Sequence, residues 1–328
     1  MELLIIGAGA VGSVYGYLSG ARVTYLIKPK HRAELEKGIQ LYHWKGRKAE
    51  SVHYTGFGLI DDATELLKRR FDAVLITLPS DKFRVEGWLS AFLKDFNVGS
   101  PDAKIWSLQP GPGDPEFLRE KVGPGAQERI VHGQIPILSY LAPLPGESFP
   151  KAGYAFYLPP GAKAAWSSKN LAAAREAADL FTAGGLPSKV VDMGPPAASG
   201  VYSAALLRLL VAGLEKSEWS FDRLLNGENI YLVSAAIREM TAIDAKREKA
   251  TDPSRTWIGK MASTPFGIKT AVRLAQKIMP LDFEAFMRVH FTKVAEQMHL
   301  TLDEFIDFGK RNGFSTTNLV LLRGRKKT

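Results

Sequence analysis

The sequence predicts an α/β protein in two parts, a doubly wound parallel sheet followed by a mostly α-helical domain. An apolar run at the N-terminus leads straight into a glycine-rich turn, as in the first strand of a nucleotide-binding sheet. Strand-like and helix-like segments then alternate as far as Asp192. After Gly194-Pro195-Pro196 only helical periodicity remains, so we predict domains at 1–193 and 194–328.

The first predicted strand is Leu3 to Ile6, an unbroken apolar run that suits a strand buried on both faces. It leads into Gly7-Ala8-Gly9-Ala10-Val11-Gly12, the GxGxxG pattern of a Rossmann-type dinucleotide-binding turn. There Gly7 permits the tight bend, Gly9 lets backbone approach a pyrophosphate, and Gly12 lets the next helix pack on the sheet. The N-terminus of that helix would hold the phosphates. An ordinary glycine-rich turn is the alternative.

The end of the second predicted strand, Arg22 to Ile27, indicates which dinucleotide is bound. A protein that prefers NAD usually has Asp or Glu there to bind the ribose 2′-hydroxyl. This chain instead has Lys28, followed by Lys30, His31 and Arg32, with no acidic residue among 28–32. We therefore expect Lys28 and Lys30 to bind a 2′-phosphate, which makes the cofactor NADP(H). A solvated basic turn is the alternative.

Two later strands are predicted to end beside the glycine turn. Phe71 to Thr77 is a buried strand that ends in Leu78-Pro79-Ser80, and Lys104 to Leu108 ends in Gln109-Pro110-Gly111-Pro112-Gly113. The carboxyl ends of parallel strands meet at one edge of a doubly wound sheet, where ligands bind. The predicted cofactor-binding residues at these two ends are Leu78, Pro79, Gln109 and Pro110.

The remaining elements follow from periodicity and from turn residues. In the first domain we predict a hairpin of 39–43 and 48–54, helices from Asp62, Asp81 and Asn170, antiparallel strands added to the sheet edge at 131–133, 135–138 and 154–158, and a last strand at 189–192. In the second domain we predict helices at 197–214, 228–246, 267–278, 282–298 and 301–311.

Composition excludes several classes of site and partner. The chain has no cysteine, which excludes disulfides, thiolate metal sites and cysteine nucleophiles and fits a reducing cytoplasm. Its six histidines are scattered without HxxxH or HExxH spacing, so no metal is expected. The net charge of +9 is spread along the chain except for a dense basic run at 323–327, so we expect no nucleic acid partner.

We expect neither export nor a membrane span. Met1-Glu2 leads directly into the first strand, without the basic leader of an exported protein. The longest apolar stretch, Val201 to Leu214, is too short to span a bilayer and carries Arg208 in its middle. We therefore expect a cytoplasmic protein with no membrane partner.

The order of elements resembles the ketopantoate reductase family. Two motifs match directly, the glycine turn up to Ser13 and Lys37-Gly38-Ile39. Lys28 stands where that family usually has an arginine for the 2′-phosphate. The 109–113 turn stands where it has Gln/His-Asn-Gly-x-Gly. The resemblance implies an NADPH-binding Rossmann domain, a helical C-terminal domain, and a cleft between them in which a 2-oxo acid is reduced.

The catalytic residues of that family are not matched in this chain. The family's strand-end lysine is replaced by Pro79, and the asparagine of its Asn-Gly turn by Pro110. Its catalytic lysine opens a helix with asparagines four and eight residues later, where this chain has Ala204, Arg208 and Ala212. A frame shifted by one turn puts Arg208 in the place of the lysine. Arginine cannot donate a proton at neutral pH, although it can clamp a carboxylate.

Another proton donor is therefore needed, and the predicted helix from Asp282 offers one. The family's Glu-Ile-Asp stretch becomes Asp282-Phe283-Glu284, and His290, Lys293 and Gln297 follow at helical spacing on one face. We predict Lys293 as the donor, with His290 second and with Asp282 or Glu284 holding the ammonium in place. The alternative is a polar surface stripe.

Together these observations predict an NADPH-dependent oxidoreductase that reduces a small 2-oxo acid-like carbonyl or an imine other than ketopantoate. The alternative is a catalytically inactive protein that binds or senses a dinucleotide. The second domain is expected to bind the small-molecule substrate, and the apolar helices after Gly200 could supply a homodimer interface.

Overall fold

The computed structural model shows two compact units, Met1–Met193 and Gly194–Thr328. It describes residues 1–108, 111–193, 198–250, 252 and 256–324, and for residues 198–204 it describes only the backbone. Gln109 and Pro110 of the predicted cofactor site lie outside the described residues, as does the side chain of Ala204.

The predicted α/β fold class is confirmed. In the first unit the strands are β1 Glu2–Ile6, β2 Arg22–Leu26, β3 Ile39–Lys45, β4 Lys48–Tyr54, β5 Gly58–Ile60, β6 Ala73–Ile76, β7 Lys104–Ser107, β8 Ile130–Gly133, β9 Leu138–Ala142, β10 Gly153–Tyr157, β11 Ala164–Ser167 and β12 Ser188–Val190. Its α-helices are α1 Ala10–Tyr17, α2 Arg32–Leu35, α3 Ser80–Phe83, α4 Trp88–Gly99, α5 Asp114–Val122 and α6 Leu171–Ala183. Short 3₁₀ segments lie at Pro29–His31, Ala63–Lys68 and Pro124–Arg129.

The main sheet has the strand order β12-β11-β8-β7-β6-β1-β2-β5. Every pair from β8 to β5 is parallel, and β1 lies between β2 and β6. The sheet grows outward from β1 in both directions, which makes the carboxyl end of β1 the topological switch point. The glycine turn follows β1 at this point.

Both faces of the central strands are buried, as predicted. Leu3 and Ile5 of β1 pack in one core cluster with residues of α1 and α6. Leu4 and Ile6 point the other way and pack with residues of α4. Because successive residues of a strand face opposite sides, a run without polar positions is what a sheet covered on both faces requires. The GxGxxG turn is therefore attached to one of the least exposed strands of the unit.

A second sheet, which the sequence did not predict, has the order β4-β3-β10-β9. The hairpin β3–β4 was predicted and forms, but it pairs through β3 with β10 rather than standing alone. The prediction that 131–133, 135–138 and 154–158 extend the main sheet as antiparallel edge strands was right for the first segment's sheet and wrong for the rest. Strand β8 joins the main sheet but lies parallel beside β7, and the unpredicted β11 pairs antiparallel with it. Strands β9 and β10 belong to the second sheet. Alternating hydrophobicity indicates a strand but does not identify its partner.

The second sheet covers the helix that follows the glycine turn. Helix α1 contacts β1 on one side and β9 and β10 on the other. Tyr17 of α1 packs against the rings of Tyr54 on β4 and Phe156 on β10. The helix whose N-terminus is the predicted phosphate site is therefore held between two sheets.

The described part of the second unit contains helices and no strands, as predicted. The helices are α7 Ala198–Lys216, α8 Phe221–Asn226, α9 Asn229–Arg247, α10 Trp257–Ala262, α11 Pro265–Ile278, α12 Phe283–Lys293, α13 Ala295–Arg311 and α14 Thr317–Arg323. The single helix predicted over 282–298 is wrong, because the chain leaves helical geometry at Val294, where φ is −111° and ψ is 23°.

His132 of β8 makes the stability of the first unit depend on pH. Burial, helped by the positive charge of Arg119 and opposed by Glu116, lowers the pKa of His132 to about 4. A histidine whose pKa is lower in the folded than in the unfolded chain stabilises the fold fully above its unfolded pKa of about 6.5. This stabilisation is lost as the pH falls through the folded pKa. We expect the unfolding free energy to fall by about 3 kcal/mol between pH 7 and pH 4 through this residue.

Urea denaturation of the full chain at several pH values tests this expectation. His132→Gln should flatten the dependence between pH 6.5 and 4, whereas His53→Gln, which changes an exposed histidine of β4, should leave it unchanged. Parallel curves for wild type and His132→Gln would contradict the assignment.

Candidate functional site

The turn between β1 and α1 has a backbone that only glycine permits at two positions. Gly7 has a φ of +97°, which disfavours any side chain. A Cβ on Gly12 would lie 2.0 Å from the carbonyl oxygen of Gly7, so the helix can begin here only without a side chain. Thr77 Oγ1 donates to the carbonyl oxygens of Ile6 and Gly7 at 2.8 and 3.2 Å and fixes the turn from the neighbouring strand end.

Gly9 differs from both, because its surroundings are open. A Cβ on Gly9 would meet no heavy atom within 4 Å in the described part of the chain, and the backbone there is ordinary, with φ −78° and ψ −172°. Gly9 is the N-cap of α1 and has no side-chain cap among the described residues, and the first turn of α1 carries no acidic residue. These features fit a pyrophosphate, which needs free N–H groups and a cradle that a side chain would fill.

The structure corrects one expectation about the basic segment after β2. Lys28 and Lys30 are exposed, as a phosphate-binding pair must be. Arg32, however, pairs with Asp61: its Nε and Nη2 donate to the two carboxylate oxygens, each at 2.6 Å. This hydrogen-bonded guanidinium lowers the pKa of Asp61. The expectation that no acidic residue lies near these cations was wrong, because the pairing of β5 with β2 brings Asp61 beside them.

Leu78 and Pro79 follow β6 at the same sheet edge as the glycine turn. A Cβ on Gly7 would lie 3.3 Å from Leu78 Cδ2, so Leu78 packs over the first glycine. Pro79 is the N-cap of α3, and its carbonyl oxygen accepts from Lys82 N at 2.9 Å. The structure thus brings Leu78 to the glycine turn, as predicted for the converging strand ends.

A buried carboxylate that sequence reasoning missed links two of the strand-end segments. Asp114 opens α5 and has no exposed surface. It accepts hydrogen bonds from Ser80 Oγ at 2.6 Å, Arg84 Nε at 2.6 Å and Gly111 N at 2.8 Å. Burial raises the pKa of Asp114, and these three hydrogen bonds act in the opposite direction.

The same carboxylate explains a glycine of the 109–113 turn. A Cβ on Gly111 would lie 2.6 Å from Asp114 Oδ2 and 2.7 Å from Ser80 Oγ. The segment after β6 and the turn after β7 are therefore joined through Asp114. In the sequence, an aspartate after a glycine-rich turn indicates only a helix start, so nothing there pointed to this contact.

In the second unit, His290 and Lys293 share one face of α12. The imidazole of His290 stacks on Phe286 with ring centroids 5.2 Å apart and contacts the Phe291 ring edge-on. Lys293 is exposed at the last position of the helix. Gln297 lies on α13, beyond the break at Val294, so the predicted single row of imidazole, ammonium and amide on one helix was wrong.

Asp282 and Glu284 are at the other end of α12 and have other partners. Asp282 caps the helix, its Oδ1 accepting from Ala285 N at 3.0 Å, and the Glu284 carboxylate accepts from Phe221 N. Eleven residues separate Asp282 from Lys293, which is about 16 Å along a helix. The expectation that one of these carboxylates holds the Lys293 ammonium was therefore wrong.

Arg208 lies in a charge cluster inside the second unit. Its guanidinium is 5.4 Å from the centre of the Phe305 ring, and that of Arg247 is 5.3 Å from the same ring. Arg247 also pairs with the buried Asp244 at 3.4 Å. Burial lowers the pKa of Arg208, and Asp244 opposes this shift. A role in clamping a substrate carboxylate stays a prediction, and it would require the guanidinium to leave these contacts.

Two further features bear on what the protein can bind. Among the described residues, no group of three or more histidine, aspartate or glutamate side chains is placed to hold a metal ion. In the same part of the chain, no helix has the length and apolar character needed to cross a membrane.

No model of a known protein family and no curated protein matches the chain. Solved structures do match it. D-mandelate dehydrogenase, in a ternary complex with NADH and anilino(oxo)acetate, is 16% identical with a TM-score of 0.65, over 98% of this chain and 96% of that one. The 2-dehydropantoate 2-reductase of Methylococcus capsulatus is 16% identical with a TM-score of 0.61, over 98% and 94%. The probable 2-dehydropantoate 2-reductase of Bacillus subtilis is 15% identical with a TM-score of 0.60, over 99% and 98%.

At these identities the likeness concerns the fold. The similarity extends over nearly the whole of each chain, so it includes both the α/β portion and the helical portion. The resemblance to ketopantoate reductases, which are the 2-dehydropantoate 2-reductases, is confirmed at this level: the chain has their fold.

Proposed function

We propose that the protein is an NADP(H)-dependent oxidoreductase that reduces a small carbonyl or imine compound other than ketopantoate. The observation that carries the proposal is the glycine turn at the switch point, closed to side chains at Gly7 and Gly12 but open at Gly9. The solved structures with this fold support the reaction class, since one of them holds NADH together with an oxo acid derivative.

The residues of the first unit would hold the cofactor. The backbone of the segment from Gly7 to Gly12 and the first turn of α1 would bind the pyrophosphate, while Lys28 and Lys30 would bind the 2′-phosphate. Leu78 and Pro79, with Gln109 and Pro110 of the next strand end, would flank the dinucleotide. When bound, the cofactor supplies the hydride for the substrate carbon.

Reduction also needs a proton for the oxygen or nitrogen that gains charge. We assign this proton to the Lys293 ammonium, with the His290 imidazole second, because the family's lysine position would hold Ala204 or, in the shifted frame, Arg208. Both side chains lie on one face of α12, and Lys293 forms no ion pair among the described residues. In this proposal the substrate is bound by the second unit, and a homodimer formed through its helices stays a prediction.

The alternative, an inactive dinucleotide-binding or sensing protein, is favoured by the same replacements at Pro79 and Ala204. A panel of 2-oxo acids and imines assayed with NADPH separates the two. Steady NADPH oxidation on any of them supports the reductase. Tight NADPH binding with no turnover across the panel supports the alternative.

Cofactor preference tests the assignment of the basic segment. NADPH should bind at least about tenfold more tightly than NADH, because a hydrogen bond to a charged group contributes about 1.5 to 3 kcal/mol. Lys28→Glu should weaken NADPH far more than NADH in calorimetric titrations. Arg47→Glu, which makes the same change at the exposed turn between β3 and β4, should alter neither affinity. Equal wild-type affinities for the two nucleotides would contradict the 2′-phosphate site.

A further inference from the structure

The neighbouring helices α10 and α11 expose several large apolar side chains to solvent. On α10 these are Trp257, Ile258 and Met261, and on α11 they are Phe266, Leu274 and Ile278. Trp257 is 76% exposed and Phe266 is 72% exposed. Single exposed apolar residues are ordinary, but a cluster of six on two neighbouring helices marks an interaction surface. The solvent-exposed side of these two helices is called the α10–α11 face below.

Two ridges run side by side along the outer face of α11. Phe266, Leu274 and Ile278 lie at intervals of four or eight residues and form an apolar ridge, which Thr270 interrupts. Lys269, Arg273 and Lys277 also recur every four residues and form a basic ridge next to it. The opposite side of the helix is buried through Ile268 and Val272. The helix thus presents hydrophobic and positive surface together, away from its own core.

The segment that forms this face carries no acidic residue of its own. From 253 to 281 the sequence has five lysine or arginine residues and no aspartate or glutamate. Among the described residues, no carboxylate forms an ion pair with Lys260, Lys269, Arg273 or Lys277. The α10–α11 face therefore needs a partner that offers both negative charge and an apolar region.

A second copy of the chain fits this requirement poorly. In a two-fold dimer the same patch meets itself, so two basic ridges would come together without a carboxylate from either face. An anionic bilayer offers phosphate headgroups above an acyl region, and lysine or arginine beside tryptophan and phenylalanine is typical of helices that lie in that interface. We propose that the α10–α11 face binds the surface of an anionic lipid bilayer without crossing it. This departs from the sequence-based expectation of no membrane partner.

Vesicle binding by the full-length protein tests the proposal. The protein should sediment with vesicles of phosphatidylcholine and phosphatidylglycerol, should bind pure phosphatidylcholine vesicles far more weakly, and should dissociate as salt is raised. The triple variant K269E/R273E/K277E should bind at least about a hundredfold more weakly, since each base near an anionic surface strengthens binding about fivefold. The control R47E/K48E/K163E makes the same change of net charge at exposed positions of the first unit and should bind like wild type.

The apolar ridge is tested separately. Phe266→Ser changes an exposed side chain, so folding should be retained while vesicle binding falls. The fluorescence of wild type should shift to shorter wavelength on vesicle binding, and Trp257→Phe should remove that shift. The proposal is overturned if wild type does not bind anionic vesicles, or if both charge-reversal triples lose binding equally. A concentration-dependent dimer in sedimentation equilibrium that Phe266→Ser dissociates, without vesicle binding, would assign the face to a second copy instead.

Discussion

Gly9→Val should abolish NADPH binding and leave the protein folded. The valine side chain would occupy the space in front of the α1 N-terminus, where a Cβ meets no protein atom within 4 Å in the described chain. Loss of two charge-assisted hydrogen bonds, at about 2 kcal/mol each, weakens binding roughly a thousandfold. Calorimetric titration with NADPH measures the loss, and urea denaturation of the same variant should give a transition close to that of wild type.

Two other glycines provide controls for this variant. Gly125→Val adds the same side chain at a position that is equally open but lies away from the switch point, and it should change neither binding nor stability. Gly12→Ala should destabilise the first unit itself, because its Cβ would lie 2.0 Å from the Gly7 carbonyl oxygen. Wild-type NADPH affinity in Gly9→Val would show that the turn is not the binding site.

The second large effect concerns the proton donor. Lys293→Ala should lower kcat by about 10² to 10⁴ on whichever substrate the panel identifies, because that is the usual contribution of a positioned general acid. His290→Ala should have a smaller effect. For the same reason purified protein should reduce ketopantoate poorly or not at all, since neither Ala204 nor, in the shifted frame, Arg208 can donate a proton as the family's lysine does.

Steady-state kinetics and NADPH titration of each variant separate chemistry from binding. NADPH affinity should be unchanged in Lys293→Ala, and Lys310→Ala, at an exposed position of α13, should retain full activity. Full activity in both Lys293→Ala and His290→Ala would show that this face of α12 is only a polar surface without a catalytic role. Efficient ketopantoate turnover would contradict the alignment that places Ala204 at the lysine.

The parts of the fold that could be predicted from sequence are those with a local cause. Alternate residues of Leu3 to Ile6 must face opposite sides of a strand, so four apolar residues in a row require helices on both faces, and the structure has them. The roles of Gly7 and Gly12 follow from backbone geometry within six residues. Asn170 caps α6 through its own side chain, accepting from Ala172 N and Ala173 N, as the preference for Asn at an N-cap indicates.

The parts that could not be predicted depend on residues far apart in the chain. β10 pairs with β3 across most of the first unit, and alternation within each strand does not reveal the other. Asp61 pairs with Arg32 because β5 lies beside β2, although residues 28–32 alone look like a purely basic turn. The break at Val294 interrupts a pattern that keeps helical periodicity on both sides, so periodicity alone joined two helices into one.

The buried carboxylate of Asp114 has a consequence for how the cofactor edge of the sheet fluctuates. Ser80 and Arg84 belong to the segment after β6 and Gly111 to the turn after β7, yet all three donate to the same side chain. Neither segment can swing away without stripping a fully buried acid of its donors, which carries a desolvation penalty. We therefore expect the two segments to move as one cooperative unit, so that a nucleotide that orders one of them also orders the other.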